Sequence, residues 1–340
     1  MTAKGVSANQ DSVFVIAEVG SVHDGSFGNA QKLLEAAATC GADAVKFQTH
    51  IAEAETLADA PAPDWFGAEA RFDYFRRTAF SEAQLLHLKE MAAGLGVEFL
   101  SSPFSLEAVD LLERVDIPRY KVPSGEVTNL PLLERMCSTG KPIILSSGMS
   151  SWAELDRAVE FLKSACDELS VLQCTTEYPC AYERVGLNVM LDMKKRYGVP
   201  VGLSDHTLTD YAALSAVTLG ARIIEKHFTF SRRMYGSDAA HSMAPEEFAR
   251  MVEGIRAVEA MVAADVDKDD LGRVRGVKEI FEKSVVAGVD IPAGTKIERA
   301  MLAFKKPGTG ISAAEYAGIV GRVAKCLIRR DSLIAPDQLK

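Results

Sequence analysis

The sequence predicts an α/β protein, a (β/α)8 TIM barrel followed by a small β-rich domain. Short apolar runs alternate with amphipathic stretches from residue 13 to about residue 263, which is typical of repeated βα units. The apolar runs number eight, the strand count of a closed barrel. The chain has 340 residues. That is more than the roughly 250 residues such a barrel needs, so we expect a second domain after it.

Each predicted strand is a run of four or five residues, and helical segments lie between the strands. The strand runs are 13–17, 44–48, 97–100, 119–122, 142–145, 169–172, 200–203 and 222–225. Residues 31–38 carry apolar side chains at helical spacing. Ser81 with Gln84 predicts one helix start, and Pro245 predicts another. The connection 50–80 is unusually long and aromatic, so we expect it to pack over something (Trp65, Phe66, Phe72, Tyr74, Phe75).

The alternating pattern ends near residue 263, where a polar run of Asp and Lys begins. This change predicts a barrel domain over 1–263, a linker over 264–280 and a second domain over 281–340. Within the second domain, 285–297 is predicted to be a strand, a Pro-Gly turn and another strand. A domain of about sixty residues has a marginal core, so we expect it to pack against another protein surface.

Composition limits the classes of function. The net charge of −9 opposes binding to nucleic acid or to an anionic membrane surface. No segment approaches the roughly 20 apolar residues that span a bilayer, and residues 1–10 lack the apolar core of a secretory signal, which predicts a cytoplasmic protein. The cysteines form no Cys-x-x-Cys pair, so we expect reduced thiols (Cys40, Cys137, Cys166, Cys174, Cys180, Cys326).

Polar residues follow the predicted strands, at the barrel end where catalytic groups usually lie. His206 and His227 end consecutive strand segments, so a divalent metal could bind between them and keep positions open for substrate. Nitrogen ligands beside oxygen suit Mn²⁺, and Zn²⁺ and Fe²⁺ remain alternatives. Lys46 and Lys121, with nearby serines, indicate a phosphorylated anionic ligand.

Five segments together resemble the sialic acid synthases and their legionaminic and pseudaminic acid relatives. They are 16–20 (IAEVG), 45–49 (VKFQT), 120–126 (YKVPSGE), 202–207 (GLSDHT) and 224–229 (IEKHFT), and 306–312 (KPGTGIS) matches the antifreeze-like (SAF) domain of that family. The resemblance implies a barrel followed by a SAF domain that covers the partner's active site in a domain-swapped homodimer. It also implies condensation of phosphoenolpyruvate with an N-acylated amino sugar and water, giving a nine-carbon 2-keto acid and phosphate.

The resemblance carries roles onto individual residues. Phosphoenolpyruvate would be held by Lys46, Ser102, Lys121, Ser124, Ser146 and Ser204, the metal by His206 and His227, and the sugar by Gln48, Thr176, Tyr178, Asp238 and Lys306. Glu18 or Glu126 would accept the proton of the water that adds to C2. The family usually has Arg where this chain has Lys306, and some members have Asn where it has Thr176.

Other functions stay open on the sequence alone. A metal-dependent barrel hydrolase or isomerase acting on a sugar would share both histidines but would need no phosphoenolpyruvate. The tail alone would suit a carbohydrate- or ice-binding protein. A purely structural alternative is that Lys46 and Lys121 only pair with nearby carboxylates such as Glu18 and Glu126. Separately, the alternative for Lys306 is a plain surface lysine. The acceptor sugar is not decided by the sequence.

Overall fold

The computed structural model describes residues 12–61 and 69–340, which form two compact units that divide between Ala264 and Asp265. The expectation for residues 1–10, and the part of the aromatic connection that holds Trp65 and Phe66, lie outside the described residues.

The first unit alternates strands with helices. Its strands are β1 (Phe14–Gly20), β2 (Ala44–Thr49), β3 (Glu98–Pro103), β4 (Tyr120–Val122), β5 (Ile143–Ser146), β6 (Leu169–Cys174), β7 (Val201–Asp205) and β8 (Ile223–His227). Its helices are α1 (Phe27–Thr39), α2 (Ala52–Glu55), α3 (Arg71–Thr78), α4 (Glu82–Leu95), α5 (Leu106–Val115), α6 (Leu130–Cys137), α7 (Trp152–Ala165), α8 (Leu187–Tyr197), α9 (Tyr211–Thr218) and α10 (Pro245–Ala263). All eight predicted strands are confirmed.

The eight strands form one parallel sheet that closes into a barrel. Their order is β3-β2-β1-β8-β7-β6-β5-β4, and β3 lies against β4, so the two ends of the order meet. The predicted (β/α)8 barrel is therefore confirmed. Gly202 in β7 allows close strand packing, since a Cβ there would lie 2.1 Å from the carbonyl oxygen of Ile223.

The barrel interior has an apolar layer beneath a polar one. The apolar layer consists of Ile16, Ala44, Leu100, Ile144, Leu172 and Ile223. Side chains alternate along a strand, so the residue two positions later faces the same interior. In these strands that residue is Glu18, Lys46, Ser102, Ser146, Cys174 or Glu225, and all six are buried. The sequence period thus places the polar groups together above a closed apolar floor.

Helix starts follow the predicted capping signals. Ser81 forms a capping box with Gln84 before α4, and α10 begins at Pro245. Ser151 and Glu154 form a second capping box before α7. Among the residues that the structure describes, no helix is both long and apolar enough to cross a membrane.

One disulfide bond corrects the expectation of reduced thiols throughout. Cys137, the last residue of α6, is bonded to Cys166, which caps α7, and their Cα atoms are 5.4 Å apart. The other four cysteines are free thiols. The bond joins two neighbouring helices whose ends meet only in the folded barrel, so no local spacing of cysteines signals it.

The second unit is a small β-rich fold with its own apolar core. It contains α11 (Arg275–Phe281), which falls within and just beyond the predicted linker, and an antiparallel pair of β9 (Ser284–Ala287) and β10 (Leu302–Lys305). Its core includes Val285, Ile291 and Leu302. The second strand predicted in 285–297 is reduced to a single bridge of Lys296 with Val323, and β9 pairs with β10 instead. The Pro-Gly turn is present, with Gly294 at a φ of 82°.

Candidate active site

A cavity of about 200 Å³ opens at the C-terminal ends of the barrel strands. It is lined by Glu18, Lys46, Gln48, His50, Arg71, Phe75, Phe104, Lys121, Pro123, Ser124, Gly125, Ser146, Met149, Cys174, Thr176, Tyr178, Ser204, His206, Glu225, His227 and Asp238. Twelve of the fifteen residues singled out by sequence meet there. They lie in or after several different strands, so the closed parallel sheet is what brings them together.

Lys46 lies at the bottom of the cavity between two carboxylates. Its Nζ is 2.9 Å from Oε2 of Glu18 and 3.6 Å from Oε2 of Glu225, and all three side chains are almost fully buried. It also donates a hydrogen bond of 3.3 Å to Oγ of Ser102. Burial opposes the charge, but the two carboxylates outweigh it and raise the pKa of Lys46. Lys46 is therefore a buried cation.

Lys121 provides a second ammonium group in the same cavity. Its Nζ donates to Oγ of Ser146 at 2.7 Å and lies 3.3 Å from Oε1 of Glu225. Oγ of Ser204 donates to the same Glu225 oxygen at 2.9 Å. Burial lowers the pKa of Lys121, and Glu225 only partly compensates. Two lysines and Ser204 thus surround the carboxylate of Glu225.

Two of the carboxylates that line the cavity, those of Glu18 and Glu225, have opposite pKa shifts. Burial raises the pKa of Glu18, and the charge of Glu225 adds to that effect, although Lys46 opposes it. Burial also acts on Glu225, but Lys121 and Lys46 together lower its pKa. Two buried acids with diverging pKa values are the arrangement expected for separate roles, one permanently ionised and one able to exchange a proton. Of the two, Glu18 has the pKa shift that suits a group exchanging a proton.

His206 and His227 face the cavity with ring centroids 5.4 Å apart. Nδ1 of His206 bonds the carbonyl of Thr175 at 2.8 Å, so this nitrogen carries the proton and Nε2 is left with a free lone pair. Burial and the neighbouring His227 lower the pKa of His206 to about 3, which keeps the ring neutral. Nδ1 of His227 is buried and has no hydrogen-bond partner among the described residues. Both rings therefore fit metal ligation.

The histidines would supply a metal with only two protein ligands. Within residues 12–61 and 69–340, the structure contains no cluster of three His, Cys, Asp or Glu side chains placed to hold an ion. The remaining positions would belong to water and substrate oxygen, as Lewis-acid chemistry requires.

Four predicted sugar contacts line the cavity beside the histidines. The ring of Tyr178 lies 4.2 Å from that of His206, and Oγ1 of Thr176 is buried without a hydrogen-bond partner among the described residues. Gln48 donates to Glu18 at 2.9 Å. Asp238 approaches Gly20 so closely that a Cβ there would lie 2.6 Å from Oδ2. These groups leave hydrogen-bonding capacity at the mouth of the cavity for a polyhydroxy ligand.

The long connection after β2 supplies further cavity residues. His50 is stacked between Phe75 at 3.8 Å and Phe104 at 4.2 Å, and its Nε2 bonds Gln48 at 3.0 Å. Arg71 and Phe75, both on α3, line the cavity. The described part of the aromatic segment therefore packs at the site, as expected.

Three predicted residues lie away from the cavity lining. Glu126 accepts a hydrogen bond of 2.7 Å from Asn129. Ser102 does not line the cavity, and its hydroxyl accepts a hydrogen bond from Lys46. Lys306 belongs to the second unit, where its exposed ammonium group lies 4.6 Å above the ring of Phe281.

Comparison with known proteins decides the family. A model described as the NeuB family matches residues 33–267, and a SAF domain model matches residues 282–340. The chain belongs to the NeuB family. The predicted resemblance and the predicted C-terminal SAF domain are thereby confirmed.

Relatives of this NeuB-family chain include named synthases. It is 38% identical over 331 residues to an uncharacterized protein of Methanocaldococcus jannaschii, covering 97% of this chain and 95% of that one. It is 35% identical over 336 residues to N,N'-diacetyllegionaminic acid synthase of Campylobacter jejuni, covering 94% of this chain and 98% of the relative. A crystal structure of N-acetylneuraminic acid synthetase from Leptospira borgpetersenii in complex with citrate matches with a TM-score of 0.69 and 28% identity, over 78% of this chain and 90% of that one.

Glu225 is the main cavity residue of this NeuB-family chain that sequence reasoning missed. It lies two positions before His227 in β8, so strand alternation alone places both side chains on the interior face. That signal was present in the sequence. By contrast, His50, Arg71 and Phe104 reach the cavity through the packing of loops, which no periodicity predicts.

Proposed function

We propose that the protein condenses phosphoenolpyruvate with an N-acylated amino sugar and water to give a nine-carbon 2-keto acid and phosphate. The observation that carries the proposal is the presence of two buried ammonium groups, Lys46 and Lys121, in the cavity that also holds His206 and His227. A metal-dependent hydrolase or isomerase would use the two histidines, but its reaction would not explain why two lysines are buried in the same cavity. An anionic, phosphorylated substrate gives that reason.

Phosphoenolpyruvate would bind at the bottom of the cavity. Lys46 and Lys121 would neutralise its charges, and the hydroxyls of Ser124, Ser146 and Ser204 would donate to its oxygens. Ser102 would act on Lys46, to which it is bonded, rather than on the substrate.

A divalent cation, which we propose to be Mn²⁺, would be held by His206 and His227. When bound, it would polarise the aldehyde oxygen of the open-chain sugar. Gln48, Thr176, Tyr178 and Asp238 would orient the hydroxyls of that sugar at the mouth of the cavity.

The condensation would proceed with the enol C3 of phosphoenolpyruvate bonding to the aldehyde carbon. Water would add at C2, and cleavage of the C2–O bond would release phosphate. Glu18 suits the proton transfers, since its pKa is raised by burial and its carboxylate is fixed by Lys46 and Gln48. Glu126 lies outside the cavity lining, which favours Glu18 over it.

The active assembly would be a domain-swapped homodimer, in which the partner's Lys306 reaches the acyl group of the sugar. Lysine would place a single charge there, whereas arginine would offer a planar fork of donors. The SAF domain match and the exposed ammonium group of Lys306 support this assignment.

The test is product formation by the full-length protein. We expect phosphate and a 2-keto acid to form from phosphoenolpyruvate with Mn²⁺ and one of N-acetylmannosamine or a diacetamido-dideoxy hexose, and EDTA to abolish the reaction. His206→Ala and Lys121→Met should lose it, while His87→Ala, which changes an exposed histidine on α4, should not. Absence of product with every sugar, or full activity of His206→Ala, would contradict the proposal.

A further inference from the structure

A buried ion pair lies directly behind the two histidines, on the outer face of the barrel. Asp205 precedes His206 at the end of β7, and Lys226 precedes His227 in β8. The strand register makes Asp205 and Lys226 direct cross-strand partners. Because side chains alternate along strands, these two point away from the cavity, and neither lines it.

The ion pair also forms hydrogen bonds with backbone groups. Nζ of Lys226 lies 2.5 Å from Oδ2 of Asp205, and the two side chains are 0% and 1% exposed. The same ammonium donates to the carbonyl oxygens of Thr207 at 2.5 Å and Thr209 at 2.9 Å. Oδ1 of Asp205 accepts the backbone N–H of Thr207 at 2.8 Å. The backbone that follows His206, at Thr207 and Thr209, is therefore bound to one buried cation and its partner.

The position of the His206 ring depends on this arrangement. Among the described residues, the ring is hydrogen-bonded through Nδ1 to the carbonyl of Thr175, so its direction is set by that bond, by its packing on Tyr178 and by the backbone of 205–207. Two apolar side chains would join β7 and β8 without desolvating two charges. They would leave the carbonyl of Thr207 without the ammonium donor, and that of Thr209 with only the hydroxyl of Thr207, 3.2 Å away. Unlike an apolar contact, the ammonium group therefore fixes the position of the backbone segment that carries His206.

We propose that Asp205 and Lys226 are positioning residues for the metal site, which fix His206 relative to His227 by clamping the segment between β7 and α9. The proposal rests on the proposed metal role of the two histidines. A metal site with only two protein ligands depends strongly on how those two ligands are placed relative to each other. Removing a residue that supports a metal ligand from behind typically changes metal affinity about 10–100-fold.

The experiment separates positioning from general stability. Lys226→Met leaves the carboxylate of Asp205 buried and unpaired, so it should destabilise the fold. The double variant Asp205→Asn/Lys226→Met removes both charges and also takes the ammonium donor away from the carbonyls of Thr207 and Thr209. Arg119→Gln is the control. It breaks another ion pair that links two strands, in which Nε of Arg119 lies 2.9 Å from Oε2 of Glu98. This pair lies at the start of β3 and β4, at the end of the barrel away from the cavity.

Mn²⁺ affinity of the metal-free, full-length variants would be measured by electron paramagnetic resonance without substrate, beside their melting temperatures. We expect the double variant to bind Mn²⁺ at least tenfold more weakly while staying folded, and Arg119→Gln to bind like the wild type. Asp205→Asn alone, which keeps the bonds of Lys226 to both carbonyls, should fall between them.

Wild-type affinity in the folded double variant, or an equal loss in Arg119→Gln, would overturn the positioning role. If the wild type fails to bind Mn²⁺, or if His206→Ala binds it as well as the wild type, the metal role is refuted and this proposal with it. Binding that is lost in His206→Ala but unchanged in both Asp205→Asn and the double variant refutes the positioning role alone.

Discussion

Oε2 of Glu18 lies 2.9 Å from Nζ of Lys46, and burial leaves both side chains almost without solvent contact. In the proposed reaction, the pair links the cation that binds phosphoenolpyruvate to an acid whose pKa is raised by burial. Proton exchange and phosphoenolpyruvate binding would then be carried by neighbouring atoms. A substitution of Glu18 should therefore also alter the properties of Lys46, and the reverse.

Replacement of Glu18 tests the proton-transfer role. Glu18→Gln keeps the size of the side chain but removes its basicity, so we expect kcat to fall by about 10²–10⁴-fold. Glu126→Gln should stay within a few fold of the wild type, because Glu126 is outside the cavity lining and bonds Asn129. Steady-state kinetics of both variants decide the matter. The reverse order of effects would assign the water to Glu126.

The disulfide bond should contribute measurable stability. Cys137 and Cys166 are 29 residues apart in sequence, and closing a loop of that length is worth about 3–4 kcal/mol in the chain-entropy model. Reduction should therefore lower the melting temperature of the wild type but not of Cys137→Ser/Cys166→Ser. Thiol titration of the unfolded, unreduced protein should find four free thiols. A count of six would show that the bond is absent.

Burial of His23 predicts a loss of stability in acid. Its Nδ1 accepts a hydrogen bond of 3.1 Å from the N–H of Gly25, its ring packs on Phe80, and burial, with a smaller effect of His50, lowers its pKa to about 4. Because the unfolded chain binds the proton more tightly, the stability is present above about pH 6.5 and declines as the pH falls toward 4. The full decline is about 3 kcal/mol.

Denaturant unfolding between pH 7 and pH 4.5 checks this sign. His23→Asn keeps an acceptor for Gly25 but removes the titration, so its free energy of unfolding should fall less over this range than that of the wild type. His87→Asn, at an exposed site, should behave like the wild type. Parallel curves for wild type and His23→Asn would show that His23 is not responsible.

Subunit mixing tests the swapped dimer. Lys306→Glu and His206→Ala are each expected to be poorly active, for different reasons. If Lys306 serves the partner's cavity, a mixed dimer has one site with both defects and one intact site, so random exchange should restore about a quarter of the wild-type sites. Mixed dimers that form but remain inactive would place Lys306 with the cavity of its own chain.

Local patterns in the sequence determine the barrel and most of its site. Glu18, Lys46 and Ser146 each lie two residues after an aliphatic residue of the interior layer, so a period of two predicts both the floor and the polar layer above it. The remainder depends on contacts between distant segments. The bond of Cys137 with Cys166, the pairing of β9 with β10 and the stacking of His50 on Phe75 all require the fold to be known.

The fate of the bridging oxygen of phosphoenolpyruvate tests the central claim most directly. With this oxygen labelled as ¹⁸O, the account predicts that the released phosphate keeps the label, with one phosphate formed per sugar consumed, because C2–O cleavage releases it. Mass spectrometry of the phosphate reads the outcome. Unlabelled phosphate, which hydrolysis at phosphorus would give, or sugar turnover without phosphate release, would contradict the account.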